Sequence, residues 1–145
     1  MHFSHIFAFA ATALAAPARF MPLAAEEWTI ESMKRVCDED DTTCKWTFSV
    51  NTHAEDVEPT EVTYVVNATD DTVASRAIGG PVKAGIFTVT STWTDYFGIE
   101  EAWTTLSVID YERGVLVYPA YKDKQLADGE VVEPDQTYVP ENIPA

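Results

Sequence analysis

Cys44-Lys45-Trp46-Thr47-Phe48-Ser49-Val50-Asn51 is the stretch on which the fold turns. Cys44, Trp46, Phe48 and Val50 alternate with Lys45, Thr47, Ser49 and Asn51. Alternation with a period of two residues sends one face of an extended chain into a core and the other into water. The theme returns downstream. Glu61 to Asn67 sets Val62, Tyr64 and Val66 against Thr63, Val65 and Asn67, so both faces are fairly apolar. Ile86 to Trp93 is rich in β-branched residues. Trp103 to Asp110 places Trp103, Thr105, Ser107 and Ile109 on one side and Thr104, Leu106 and Val108 on the other. Tyr111-Glu112-Arg113-Gly114 reads as a hairpin turn with Gly114 suited to positive φ. Val115 to Tyr118 is its return strand, ended by Pro119. These segments predict an all-β domain, a single antiparallel β-barrel or sandwich of about six to eight strands. One helical turn is predicted over Asp123 to Ala127, stopped at Asp128-Gly129. Near the start, Trp28 and Ile30 alternate as in a strand, while Met33 and Val36 fall out of phase, as after a bulge or in a short helical turn. Asp70-Asp71 and Ile78-Gly79-Gly80-Pro81 mark a long connection. The tail, with Pro134, Pro140 and Pro144, is expected to lie extended on the surface.

The chain has 145 residues, 46% of them apolar and 12% aromatic, enough for one packed domain and against disorder. Its net charge of -15 repels phosphate backbones and anionic membrane surfaces, so no nucleic-acid partner is expected and anionic membrane surfaces are disfavoured. Residues 1–25 contain no acid and one basic residue, Arg19. Ile6 to Ala16 is an apolar run too short to span a membrane, which takes about 20 residues. It suits a secretory signal peptide, with cleavage expected between about residues 15 and 25 at Ala13-Leu14-Ala15 or Leu23-Ala24-Ala25. Pro17 and Pro22 argue against a buried N-terminal helix. Residues 26–145, the expected single β domain, hold eight basic residues against 24 acids, a net charge of -16. With no later anchor, the expected location is extracellular.

Cys37 and Cys44 both fall in that domain. In an oxidising compartment an even pair this close reads as a disulfide. Redox pairs are usually spaced C-x-x-C, and zinc needs two further ligands that this region lacks. The enclosed Asp38-Glu39-Asp40-Asp41 invites calcium, but the loop has neither the Gly nor the twelfth-position Glu of an EF-hand, and a solvated turn is the plainer account. No metal or cofactor is expected.

Catalytic patterns are sparse. His53 sits in an acidic loop with no nucleophile elbow and no free cysteine to pair with. Asp95, Glu100, Glu101 and Asp110 are the carboxylates beside aromatic residues that a paired-carboxylate hydrolase would need, yet so short a domain leaves little room for a deep cleft. No catalytic residue is assigned. The aromatic residues are more informative. Trp93-Thr94-Asp95-Tyr96-Phe97-Gly98 joins two strands and Trp103 follows, so Trp93, Asp95, Tyr96, Phe97 and Trp103 are the candidate contacts for a sugar or a protein partner. Trp93 and Trp103 are in phase with apolar neighbours, which favours the core. Tyr96 and Phe97 lie in the connection and are the better candidates for exposure. Asn67-Ala68-Thr69 is an N-glycosylation sequon.

Taken together, Glu27-Trp28-Thr29-Ile30-Glu31, Cys37 through Phe48, Ile78-Gly79-Gly80-Pro81, Phe87-Thr88-Val89-Thr90, Thr105-Leu106-Ser107-Val108, Tyr118-Pro119-Ala120-Tyr121, Asp123 through Val132 and Pro134-Asp135-Gln136-Thr137-Tyr138 resemble the small secreted proteins of filamentous fungi. That group includes hypersensitive-response-inducing elicitors of plant pathogens. The resemblance implies a secreted, β-rich, disulfide-bonded protein, an effector or elicitor acting at the host or cell-wall interface. A host protein or a wall polysaccharide is the partner it implies. Many of the group carry a second cysteine pair where this chain has Val62 and Ala84. A secreted carbohydrate- or small-ligand-binding β module is the alternative reading.

Overall fold

The computed structural model describes residues 26–144. Ten strands form two antiparallel sheets among these residues. β1 (Trp28–Cys37), β2 (Thr43–Asn51) and β3 (Thr60–Asn67) make the first sheet, and β9 (Gln136–Tyr138) pairs on the far edge of β1. β4 (Gly79–Ala84), β5 (Phe87–Thr94), β6 (Trp103–Asp110) and β7 (Val115–Val117) make the second, with β8 (Ala120–Lys122) on β6 and β10 (Glu141–Asn142) on β7. The sheets are not hydrogen-bonded into a closed barrel, so the sandwich alternative is the one adopted. The predicted helical turn is α1 (Asp123–Leu126), followed by a 3-10 turn at Ala127–Gly129. No helix among the described residues is long and apolar enough to cross a membrane. The expected signal peptide and its expected cleavage sites lie outside the described residues.

The inward faces follow the period-two reading. Trp46, Phe48 and Val50 of β2, Val62, Tyr64 and Val66 of β3, and Leu106 and Val108 of β6 are buried in one core. Only one face of β3 is covered, and Val65 on the other is 53% exposed. The hydrophobic effect needs one covered face, and the second of these faces stays in water.

One segment takes the first of the two forms expected for it, and two others depart from expectation. First, β1 carries the bulge, one extra residue relative to β2, rather than a helical turn: Glu31 pairs with Ser49, but Lys34 pairs with Thr47. Ser32 takes up the bulge with φ of 55° and donates its amide to Asp135 Oδ1 at 2.9 Å. Beyond it the inward phase moves to Met33 and Arg35, and Val36 faces out. Second, the Gly79-Gly80-Pro81 connection is a strand. β4 pairs with β5 through a register shift between Gly79 and Val82. Third, the tail is extended and also paired. Thr137 lies opposite Thr29, Glu141 lies opposite Leu116, and Val132 is buried with its amide on the Met33 carbonyl at 2.8 Å. A strand edge with free N–H and C=O groups accepts any extended segment that reaches it.

β3 and β4 run beside each other at the margin of the two sheets: a Cβ on Gly85 would meet the Thr60 side chain, and one on Gly79 would meet Val66 and Tyr64. Val62 and Ala84 both pack on the core here. The Cys37–Cys44 disulfide is formed and closes the β1–β2 hairpin at its tip, where the two residues are register partners. On the chain-entropy account a loop this short contributes about 2.5 kcal/mol.

Burial also sets an alkaline limit on stability. Tyr64 and Tyr121 are 4% and 1% exposed, and burial pushes both phenols well above their ordinary value. Burial raises Tyr138 as well. An unfolded tyrosine ionises near pH 10. The folded state therefore holds protons that the unfolded chain releases, so this contribution is intact below about pH 10 and is lost as pH rises through the folded values. In an ultraviolet titration the phenolate signal of the buried Tyr64 and Tyr121 should appear together with loss of the β-sheet circular dichroism. Full phenolate signal with the dichroism unchanged would contradict the assignment.

Candidate functional site

The Asp95–Glu101 loop joins β5 to β6 and projects the sequence-predicted aromatics. The Gly98 amide bonds the Asp95 carbonyl at 2.7 Å, closing a turn with Tyr96 and Phe97 at its two central positions. Gly98, at φ of 104°, lets the chain leave that turn. Tyr96 and Phe97 are 80% and 70% exposed. Their rings meet edge to face at 4.9 Å, and Phe97 lies nearly parallel to Trp103, 5.7 Å between centroids and 23° between planes. Stacked rings touch at about 3.5–4 Å, so the longer separation means a sideways offset. The three side chains form a stepped ledge, with part of each ring face open.

The ledge runs into a shallow recess of about 340 Å³ lined by Trp103, Ala120, Tyr121, Lys122 and Gln125. Trp103 Nε1 donates to Thr105 Oγ1 at 3.0 Å, which fixes the indole and leaves its face as the contact surface. Lys122 and Lys124 reach Glu101 at 2.5 and 3.6 Å. Lys122, chiefly through its hydrogen bond, holds the Glu101 carboxyl below its ordinary value. A general acid needs the opposite shift.

The structure does not bring all five sequence candidates together. Cross-strand pairing matches Thr94 with Trp103 and Trp93 with Thr104. Thr104 faces the interior, so Trp93 and Trp103 lie on opposite faces of the second sheet. Neither is a core residue, contrary to the in-phase reading, and both are half-buried. Trp93 is on the inward side of β5 but at the strand end, where one layer of neighbours is missing, whereas Trp103 is on the outward side of β6 with Thr105, Ser107 and Ile109. Trp93 Nε1 donates to Asp123 Oδ2 at 2.9 Å, and the Arg76 guanidinium lies 4.9 Å from its ring centroid. Asp95 is exposed in the loop. Asp110 is buried at the other end of β6, seven residues from Trp103, and accepts the Arg113 amide at 3.2 Å. About 23 Å of strand separates it from the loop carboxylates, beyond the spacing of a glycosidase pair.

Other polar candidates have structural work. Asp38 accepts from the Thr42 amide at 2.7 Å, from its hydroxyl, and from the Thr43 amide at 3.1 Å. The Thr42 hydroxyl bond is the main cause of its lowered pKa. Asp41 grips Ser75 through its amide and hydroxyl at 2.8 and 2.5 Å, which anchors the 3-10 turn Ala74–Arg76 and so the arginine on Trp93. The acidic loop is thereby a clamp between segments. His53 Nε2 lies 2.8 Å from Thr29 Oγ1, which in turn meets Thr137 Oγ1 at 3.0 Å across β1 and β9. Asn67 is exposed at the end of β3.

Sequence reading missed Arg35, Lys122 and Gln125. Arg35 is 9% exposed, 3.7 Å from Asp123 and 5.7 Å from the Trp46 ring centroid. Burial pulls its pKa down, opposed by Asp123 and Asp41. Its inward turn follows from the Ser32 bulge, for which the phase break at Met33 was the available signal. Lys122 and Gln125 carried none.

The model of the Effector TSP1 family matches residues 29–143. A protein of Hypocrea virens named Effector TSP1 is 46% identical over 138 residues, covering 93% of this chain and 91% of that protein.

Proposed function

Because the chain belongs to the Effector TSP1 family, we propose that it is a secreted fungal effector that works outside the producing cell, at a host or cell-wall interface, and elicits defence or cell death in plant tissue. It acts by recognition rather than turnover. One observation carries the choice of surface: Tyr96 and Phe97 stand exposed on a loop that the Asp95–Gly98 turn and the Trp103 stack hold in place. Large aromatics presented this way lose little entropy on contact and dominate binding energies. The apolar leader and the disulfide suit an oxidising extracellular setting. Asn67 is open to a glycan in the same setting.

Purified protein infiltrated into leaves should give a local response. The double variant Tyr96→Ala with Phe97→Ala should lose most of it while keeping its unfolding midpoint, since both side chains are exposed. No response to the native protein would sink the elicitor reading. A full response to the double variant would move the contact to another surface.

A further inference from the structure

The outward face of β5 carries Thr88, Thr90, Thr92 and Thr94 in strict alternation with the inward Phe87, Val89 and Ser91. Thr92 is exposed and the other three are partly so. Pairing with β6 sets Thr90 against Ser107, Thr92 against Thr105 and Thr94 against Trp103. Thr90 Oγ1 and Ser107 Oγ meet at 2.5 Å. The result is a row of threonine hydroxyls about 20 Å long, with no charged residue on the outward face of β5 or β6. This ladder is flanked at Thr88 by Ile109 of β6 and by the exposed Lys83 of β4, and it ends at Trp103 and the stepped ledge of Phe97 and Tyr96.

We propose that this outer face of β5 and β6, from Thr88 to Phe97, is a binding platform for an extended neutral glycan chain. Sugar rings stack on Phe97 and Trp103, and sugar hydroxyls bond the threonine ladder. The chemistry selects this occupant. A protein interface is centred on buried apolar and aromatic anchors, with threonine under-represented among its hot spots, and this ladder offers hydroxyls instead. A hydroxyl both donates and accepts, which matches the sugar hydroxyls facing it. At the aromatic end Lys122 and Lys124 donate, Glu101 accepts, and the Gln125 amide nitrogen remains a donor because its oxygen takes the Lys122 amide at 2.8 Å. The -16 charge of residues 26–145 repels acidic polysaccharides. The inference rests on reading the ledge as a recognition surface and names what that surface holds.

The test is calorimetric titration of the native protein with hexamers of β-1,3-linked glucose, β-1,4-linked glucose and β-1,4-linked N-acetylglucosamine, with a galacturonic acid hexamer as the charged comparator. At least one neutral hexamer should bind, with an affinity unchanged by salt. Phe97→Ala should weaken it about tenfold, Phe97→Tyr should restore it, and Thr92→Val should weaken it several-fold. Each variant should keep its unfolding midpoint. No binding of any neutral hexamer overturns the proposal, as does binding that ignores both Phe97→Ala and Thr92→Val, or binding confined to the charged hexamer. A leaf response that needs Phe97 without any glycan binding would keep the ledge as the contact surface and reject the glycan. Glycan binding without a leaf response would do the reverse.

Discussion

Trp28→Ala should remove about 3–5 kcal/mol of folding stability, the cost of truncating a fully buried large aromatic. Trp28 is 0% exposed on β1, in the first sheet. Its ring meets the edge of Phe87 on β5, in the second sheet, at 5.3 Å and 70°. The pair is therefore a direct contact across the sandwich, and alanine leaves a void that neither backbone can close without pulling strands out of register. The indole also donates to Glu26 Oε2 at 3.2 Å, and Glu26 holds Arg113 through two bonds at 3.0 and 3.1 Å. Losing the ring loosens that clip between the start of β1 and the β6–β7 turn. Urea denaturation followed by circular dichroism checks the value, with Trp28→Phe expected to keep the fold at a smaller cost. A loss under about 1 kcal/mol for alanine, the level of an ordinary surface change, would mean the two sheets are held together elsewhere.

Gly80→Ala should cost about 2–5 kcal/mol, the sum of a left-handed backbone for a residue with a Cβ and an overpacked contact. Gly80 has φ of 77°, and a Cβ there would lie 2.3 Å from the Val89 carbonyl oxygen and 3.2 Å from Thr90 Cα. Both are backbone atoms of β5, so no side-chain rotation relieves the clash, and β4 must move off its partner. Gly114→Ala is the matched control. It has φ of 70° and nothing within 4 Å of the added Cβ, so it carries the conformational cost alone. Equal losses for the two variants would show that the contact with Val89 contributes nothing.

The two variants test positions of different legibility. Trp28 could be read as a strand residue from its alternation with Ile30. Gly80 was legible as backbone punctuation and misread as a connection, because glycine beside proline signals a turn unless a neighbouring strand is present to pair with it. β5 supplies that neighbour, and no local pattern in residues 78–81 reports it. The candidate site divides the same way. Tyr96 and Phe97 were found because a short polar turn between two periodic segments has no core to bury them in. Trp93 was misjudged because phase along a strand does not report whether the strand end is covered, and Trp103 because the core takes the Thr104, Leu106 and Val108 side of β6 instead.

Residue order alone determined the all-β class, the main strands, the turn at Gly114 and the likeness to small secreted fungal proteins. It also marked the close cysteine pair for which an oxidising compartment implies a disulfide. Apart from the likeness, which rests on segments from Glu27 to Tyr138, each depends on neighbours a few positions apart, through the alternation of side chains, the φ a residue tolerates or the reach of a short loop. Only the tertiary structure decided that the sheets form an open sandwich, that Arg35 turns inward to Asp123, that the tail supplies β9 and β10, and that Phe97 stacks on Trp103 at the head of a threonine ladder. Those outcomes join segments distant in the chain. They are set by which strand edges and ring faces remain unsatisfied once the core has closed, and that is a property of the packed molecule rather than of any stretch within it.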